Sequence, residues 1–267
     1  MPGMTRGGNI QERRFRTDQQ AEKFIRAPRG DKLERITFGS LYAEWHTPKT
    51  LSGDRTILYL HGGAYTFCSP ATHRGLTGRI ALASNARILV PAYRLAPENP
   101  FPAALEDSLA AWKYLLGLGI PAQQLVIAGD SAGGGLALAS ALSLRDGRKT
   151  LPAALVLLSP WVDLVASKEF AKPYAGDEDP ANPLISPLYA DLRGLPPTLI
   201  QAGGSEFLLR DSQQLNEKME ASKVDVRFSV YKGMNHVFQA LAPFVPESRK
   251  AIDEIGEFVR NRQMNNL

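Results

Sequence analysis

The chain has 267 residues, 44% of them hydrophobic, and a formal net charge of +4 from 31 basic and 27 acidic side chains. That composition supplies a sizeable core and excludes a disordered chain, and no apolar stretch reaches the ~20 residues that a bilayer span needs. The charge excess is mild and, apart from Arg13, Arg14 and Arg16, dispersed, without the basic clusters and interleaved aromatics of a nucleic-acid surface.

Residues 1–15 are polar and basic and carry no apolar h-region, so they do not read as a secretory signal. Helical patterning begins over residues 17–25. Two alternating runs, 35–38 and 41–45, flank Gly39-Ser40 and predict a hairpin. From Ile57 onward, strand and helix signals alternate. Strands are expected at 57–60, 87–90, 125–128, 155–158, 198–201 and 226–230, and helices at 74–84, 103–116, 132–144, 211–221 and 248–262. Leu105, Leu109, Trp112 and Leu116 share one helical face, and Ile252, Ile255, Phe258 and Val259 form a stripe on the last helix. The runs at Ile57, Leu125 and Leu155 are continuously apolar, as doubly buried strands are. The alternation therefore predicts an α/β fold with a mainly parallel central sheet and helices on both faces. The interval 164–197 breaks the pattern. It holds Pro173, Pro180, Pro183, Pro187, Pro196 and Pro197 and the acidic run Asp177-Glu178-Asp179, and it is expected to cross the functional face. The single cysteine, Cys68, excludes an internal disulfide and fits a reducing compartment, so a cytoplasmic location is expected.

Gly129-Asp130-Ser131-Ala132-Gly133 lies between a strand run and a helix run, the placement of a nucleophile elbow. Serine as a nucleophile needs a base, an acid to orient that base, and donors for the oxyanion, in the chain order Ser, acid, His. Of the four histidines, His46, His61, His73 and His236, only His236 follows Ser131, in a loop after a late strand. Glu206 is the first carboxylate beyond the 198–201 strand, and Asp211 is its competitor, placed where the next helix begins and suited there to a helix N-terminus. Gly62 and Gly63, directly after the Ile57 strand, and Ala132 supply candidate oxyanion N–H groups. Tyr65, Trp161 and Phe207 read equally as pocket walls or ordinary core.

These motifs resemble a known family, the bacterial hormone-sensitive lipase group of esterases. His61-Gly62-Gly63-Ala64-Tyr65 is similar to its HGGG-aromatic signature, and Gly129-Asp130-Ser131-Ala132-Gly133-Gly134 to its GDSAGG elbow. Tyr93-Arg94-Leu95-Ala96-Pro97-Glu98 through Phe101-Pro102-Ala103 resembles its YRLAPE…FPA stretch, and the 30-residue spacing from Glu206 to His236 fits as well. The resemblance implies an α/β-hydrolase fold spanning residues 1–267 as one domain. It also implies a serine esterase acting on short-chain acyl esters without a cofactor or a metal, with Ser131, Glu206 and His236 as catalysts and Gly62, Gly63 and Ala132 as the oxyanion hole. Amides, lactones or acetyl groups as substrates, and a non-catalytic receptor on the same scaffold, are the alternatives. Pairing of two copies through the end of the sheet also belongs to the family. Two departures stand out: Ala64 replaces the third glycine, and the cap, drawn from about 1–30 and 164–197, is expected to be reduced, with no helix in 164–184.

Overall fold

The continuously apolar runs become the centre of one eight-stranded sheet. The computed structural model describes residues 8–261. Its strands are β1 (Asp31–Phe38), β2 (Leu41–Pro48), β3 (Thr56–Leu60), β4 (Arg87–Pro91), β5 (Leu125–Asp130), β6 (Ala154–Leu158), β7 (Thr198–Gly203) and β8 (Val226–Tyr231). They lie in the order β1-β2-β4-β3-β5-β6-β7-β8. The expected hairpin is β1–β2, which joins β4 antiparallel. From β4 to β8 every pairing is parallel.

Successive strand residues face opposite sides, so the sheet divides the core in two. Leu58, Leu60, Ile127, Leu155 and Leu157 pack on one side, under α3 (Ala103–Gly117), α4 (Ala132–Asp146) and α6 (Leu209–Ala221). Ile57, Tyr59, Val126, Val156 and Leu158 pack on the other, under α2 (Pro70–Ser84) and α7 (Pro246–Arg260). The α7 stripe of Ile252, Ile255, Phe258 and Val259 is buried there. On α3, Leu115 rather than Leu116 completes the inward face, and Leu116 turns to solvent. The loops after β3, β5, β7 and β8 all leave the carboxyl edge of the parallel strands, where open α/β sheets bind ligands.

Two expectations need correction. The interval 164–184 does contain a helix, α5 (Lys168–Ala175), with Pro173 inside it. A proline removes one helical N–H, but Ala171, Tyr174 and Ala175 are buried, and that packing outweighs the lost bond. The first helix, α1 (Ile10–Phe24), starts seven residues before the expected 17, because Asn9 accepts a hydrogen bond from the Glu12 N–H at 2.9 Å as an N-cap. Arg13, Arg14 and Arg16 thus belong to a helix. Arg14 donates to Thr66 O at 2.7 Å, to Ala96 O and to Glu98 at 2.8 Å, and so lays α1 against the loop that follows β3.

Candidate active site

β5 delivers Ser131 at a strained turn: φ is 54° and ψ −122°, a conformation that a non-glycine residue holds only when its surroundings over-determine it. They do. Ser131 N–H donates to Leu158 O at 2.8 Å, and its carbonyl accepts from Trp161 N–H at 2.9 Å, tying the turn to the end of β6. Gly133 closes the elbow, because a Cβ there would overlap the backbone oxygens of Leu60 and His61. Ala132 opens α4, so its N–H has no acceptor within the helix and lies at the positive end of the helix dipole.

His236 Nε2 stands 3.0 Å from Ser131 Oγ. Two loops are laced together to hold it there. Gly204 N–H donates to Tyr231 O at 2.8 Å and Ser205 N–H to Met234 O at 2.9 Å, joining the turn after β7 to the turn after β8. Ser159 extends the lacing: its Oγ donates to Glu206 Oε2 at 2.6 Å and accepts from Val237 N–H at 3.2 Å. Glu206 Oε2 also accepts from Gly203 N–H at 2.9 Å. The other carboxylate oxygen, Oε1, faces His236 Nδ1 at 3.9 Å, and neither atom has a hydrogen-bond partner among the described residues. That separation is ionic rather than hydrogen-bonding. Phe207, 77% exposed, leans its ring over His236 at 4.7 Å between centroids, whereas Tyr65 and Trp161 are buried core.

Asp211, the competing carboxylate, does different work. It sits in the first turn of α6 and accepts from Val162 N–H at 3.1 Å and Asp163 N–H at 3.0 Å. Burial pushes its carboxyl up. It fastens the loop after β6.

Of the expected oxyanion donors, the structure withdraws Gly62. Its N–H already donates to Asp130 Oδ1 at 3.0 Å in a buried contact, and a group so engaged cannot also meet a developing oxyanion. Gly63, Ala64 and Ala132 retain N–H groups without a protein acceptor among the described residues. Ala64 lies at φ 53°, so the chain accepts left-handed strain where glycine would have none. Cys68 sits just behind this loop; burial pushes its thiol up to about 11, leaving it protonated and inert at neutral pH.

Sequence reasoning missed the polar cluster beneath that loop. Asp130 accepts from Tyr59 Oη at 2.9 Å and faces His73 Nε2 at 3.4 Å. Despite burial, His73 holds the Asp130 carboxyl below its usual range, and Asp130 raises His73. His61 has the opposite fate: burial, with His73 nearby, pushes it down to about 3. The folded state therefore keeps His61 neutral while the unfolded chain takes up a proton below about pH 6.5. Stability from this group is full above pH 6.5 and falls towards about pH 3, by about 1.4 kcal/mol per pH unit. Urea unfolding at pH 7 and pH 4.5 should show that loss in the native chain and a shallower one in His61→Gln.

This sheet order and this strand–serine–helix turn define an α/β hydrolase, and a family model described as the alpha/beta hydrolase fold matches residues 57–240. The acetyl-hydrolase of Streptomyces hygroscopicus is 40% identical over 277 residues, covering 96% of this chain and 91% of that protein. A solved esterase of the bacterial hormone-sensitive lipase family superposes with a TM-score of 0.90 at 39% identity, covering 97% of this chain and 93% of the other. EstE5, solved after soaking with p-nitrophenyl butyrate, superposes with a TM-score of 0.89 at 38% identity, covering 98% and 94%. The chain belongs to the bacterial hormone-sensitive lipase family of α/β hydrolases. It is a carboxylic ester hydrolase. No helix among the described residues is long and apolar enough to cross a membrane.

Proposed function

We propose that the protein is a serine carboxylesterase that hydrolyses short-chain acyl esters through an acyl-enzyme. The observation that carries this reading is the 3.0 Å approach of His236 Nε2 to Ser131 Oγ at the strained elbow. Ser131 Oγ attacks the ester carbonyl carbon as its proton passes to His236 Nε2. The carbonyl oxygen becomes an oxyanion held by the N–H groups of Gly63, Ala64 and Ala132, which are fixed before the charge develops. Glu206 stabilises the imidazolium and holds its tautomer. His236 returns the proton to the departing alkoxide, and the C–O bond to the alcohol breaks. Water then repeats the cycle on the acyl-serine, releasing the acid and the free serine. No step calls for a cofactor.

Two relatives favour the short-acyl end: one named an acetyl-hydrolase, and EstE5, soaked with p-nitrophenyl butyrate. A p-nitrophenyl ester series from acetate to palmitate tests this. We expect kcat/KM to peak between acetate and butyrate and to fall by at least about tenfold by the longest chains. Palmitate turned over as well as butyrate would remove the short-chain claim, and preferential cleavage of acyl anilides or lactones would reassign the leaving group. On the same reading the chain works as one domain in the cytoplasm, with cap contributions from about 1–30 and 164–197. Two copies pair through the end of the sheet, and sedimentation equilibrium would show a monomer if that pairing is wrong.

A further inference from the structure

The peptide plane joining His61 to Gly62 is clamped at both of its polar ends. Its carbonyl, His61 O, accepts from Tyr93 Oη at 2.6 Å. Its N–H, on Gly62, donates to Asp130 Oδ1 at 3.0 Å. Each partner is itself fixed. The Tyr93 ring is buried and stacks on the His61 ring, with centroids 4.3 Å apart and planes 16° from parallel. Asp130 is buried, accepts a second bond from Tyr59 Oη, and faces His73. A Cβ on Gly62 would collide with Asp130 Oδ2, so the carboxylate reaches this N–H only because residue 62 is glycine.

The orientation of the clamped plane matters because a strained turn begins directly after it. Gly63, Ala64 and Tyr65 have φ of 117°, 53° and 59°, three positive values in succession. Gly63 O closes the turn by accepting from the N–H groups of Thr66 and Phe67, at 3.0 and 2.8 Å. Successive N–H groups in such a turn converge on a concave anion site. Left-handed alanine and tyrosine cost free energy, and a loop that holds them relaxes unless its ends are constrained. Because each peptide is planar, a rotation of the 61–62 plane is handed on to the Gly63 N–H through only two dihedrals. Asp130 also immediately precedes Ser131, so one carboxylate ties the turn that presents the nucleophile to the loop that faces it.

We propose that Tyr93 and Asp130 are positioning residues for ester hydrolysis. Together they set the plane of the 61–62 peptide and thereby aim the Gly63 and Ala64 N–H groups at the oxyanion. Neither touches the substrate. The inference rests on Ser131 being the nucleophile.

The test uses the full chain, p-nitrophenyl butyrate as substrate and an alkyl trifluoromethyl ketone as a tetrahedral-adduct inhibitor. Tyr93→Phe keeps the stacked ring and removes only the hydroxyl; kcat should fall by about tenfold or more, with KM within about twofold. The inhibition constant for the ketone should rise by the same factor as kcat/KM falls. Asp130→Ala should lose more, about a hundredfold, and Asp130→Asn should recover most of it, because an amide oxygen still accepts the Gly62 N–H. Unchanged kcat and ketone affinity in Tyr93→Phe and Asp130→Ala, with only a lowered Tm, would make the clamp a stability device and overturn the proposal. So would equal losses in Asp130→Asn and Asp130→Ala. If Asp130→Ala does not fold, Tyr93→Phe decides the matter by itself. Turnover that survives Ser131→Ala would instead sink the nucleophile assignment beneath it.

Discussion

Ser131→Ala should lower kcat for p-nitrophenyl butyrate by about 10⁴-fold or more, and His236→Ala should do the same within an order of magnitude. On the proposed mechanism the two side chains act as one unit, since the proton that leaves Ser131 Oγ would cross the 3.0 Å to His236 Nε2 as the nucleophile forms. Once either is removed the other has nothing left to do. The double variant should therefore be no slower than the worse single one, a gross failure of additivity that independent contributions would not give. Circular dichroism and Tm should stay close to those of the native chain, because Ser131 is held by its backbone bonds to Leu158 and Trp161 rather than by its hydroxyl. Steady-state kinetics on the three variants check this. Additive losses would mean that another base serves Ser131.

Glu206→Gln should cost about 10³- to 10⁴-fold in kcat with little change in KM. The isosteric amide can keep its oxygen on the Ser159 hydroxyl and the Gly203 N–H, where Oε2 lies now. Its NH2 group then faces His236 Nδ1. That geometry selects the tautomer protonated on Nε2, which cannot accept the serine proton. Asp211→Asn should leave kcat within about threefold, because its contacts are the backbone N–H groups of Val162 and Asp163, and an amide oxygen still accepts from them. Asp211→Ala strands those donors and should cost about 1–3 kcal/mol of stability. Kinetics and urea unfolding on the native chain and these three variants separate the two carboxylates. A collapse of kcat in Asp211→Asn with activity preserved in Glu206→Gln would exchange their roles.

The parts of the site legible in the sequence are those with a local signal. The glycine-flanked serine between an apolar run and a helix needs only its neighbours to be read. His236 stands out because no other histidine follows Ser131. Glu206 is marked as the first carboxylate beyond the 198–201 strand, with Asp211 left as its competitor. The features that escaped are those that distant chain segments decide. Gly62 reads as a free backbone donor until folding brings Asp130 against it from the end of β5, 68 positions away. Ser159 carries no local mark, yet it joins the Glu206 loop to the His236 loop through Glu206 and Val237, 47 and 78 positions away. Helix α5 is hidden by Pro173, whose local preference is overridden by burial of Tyr174 against Tyr65, ring on ring at 3.5 Å. The early start of α1 is readable in principle, since Asn9 followed three residues later by Glu12 is an N-terminal signature; the polar and basic run around it lacks the apolar periodicity that marks a helix.

An acyl-enzyme on Ser131 adds a mass that can be located on the chain. The protein is mixed with excess p-nitrophenyl acetate, quenched in acid within the first turnovers, and analysed by intact-protein and peptide mass spectrometry. The expected result is the added mass of one acetyl group, located on the peptide that contains Ser131 and absent from Ser131→Ala. An acetyl group on another residue, or rapid turnover in Ser131→Ala with no adduct at any time, would contradict it.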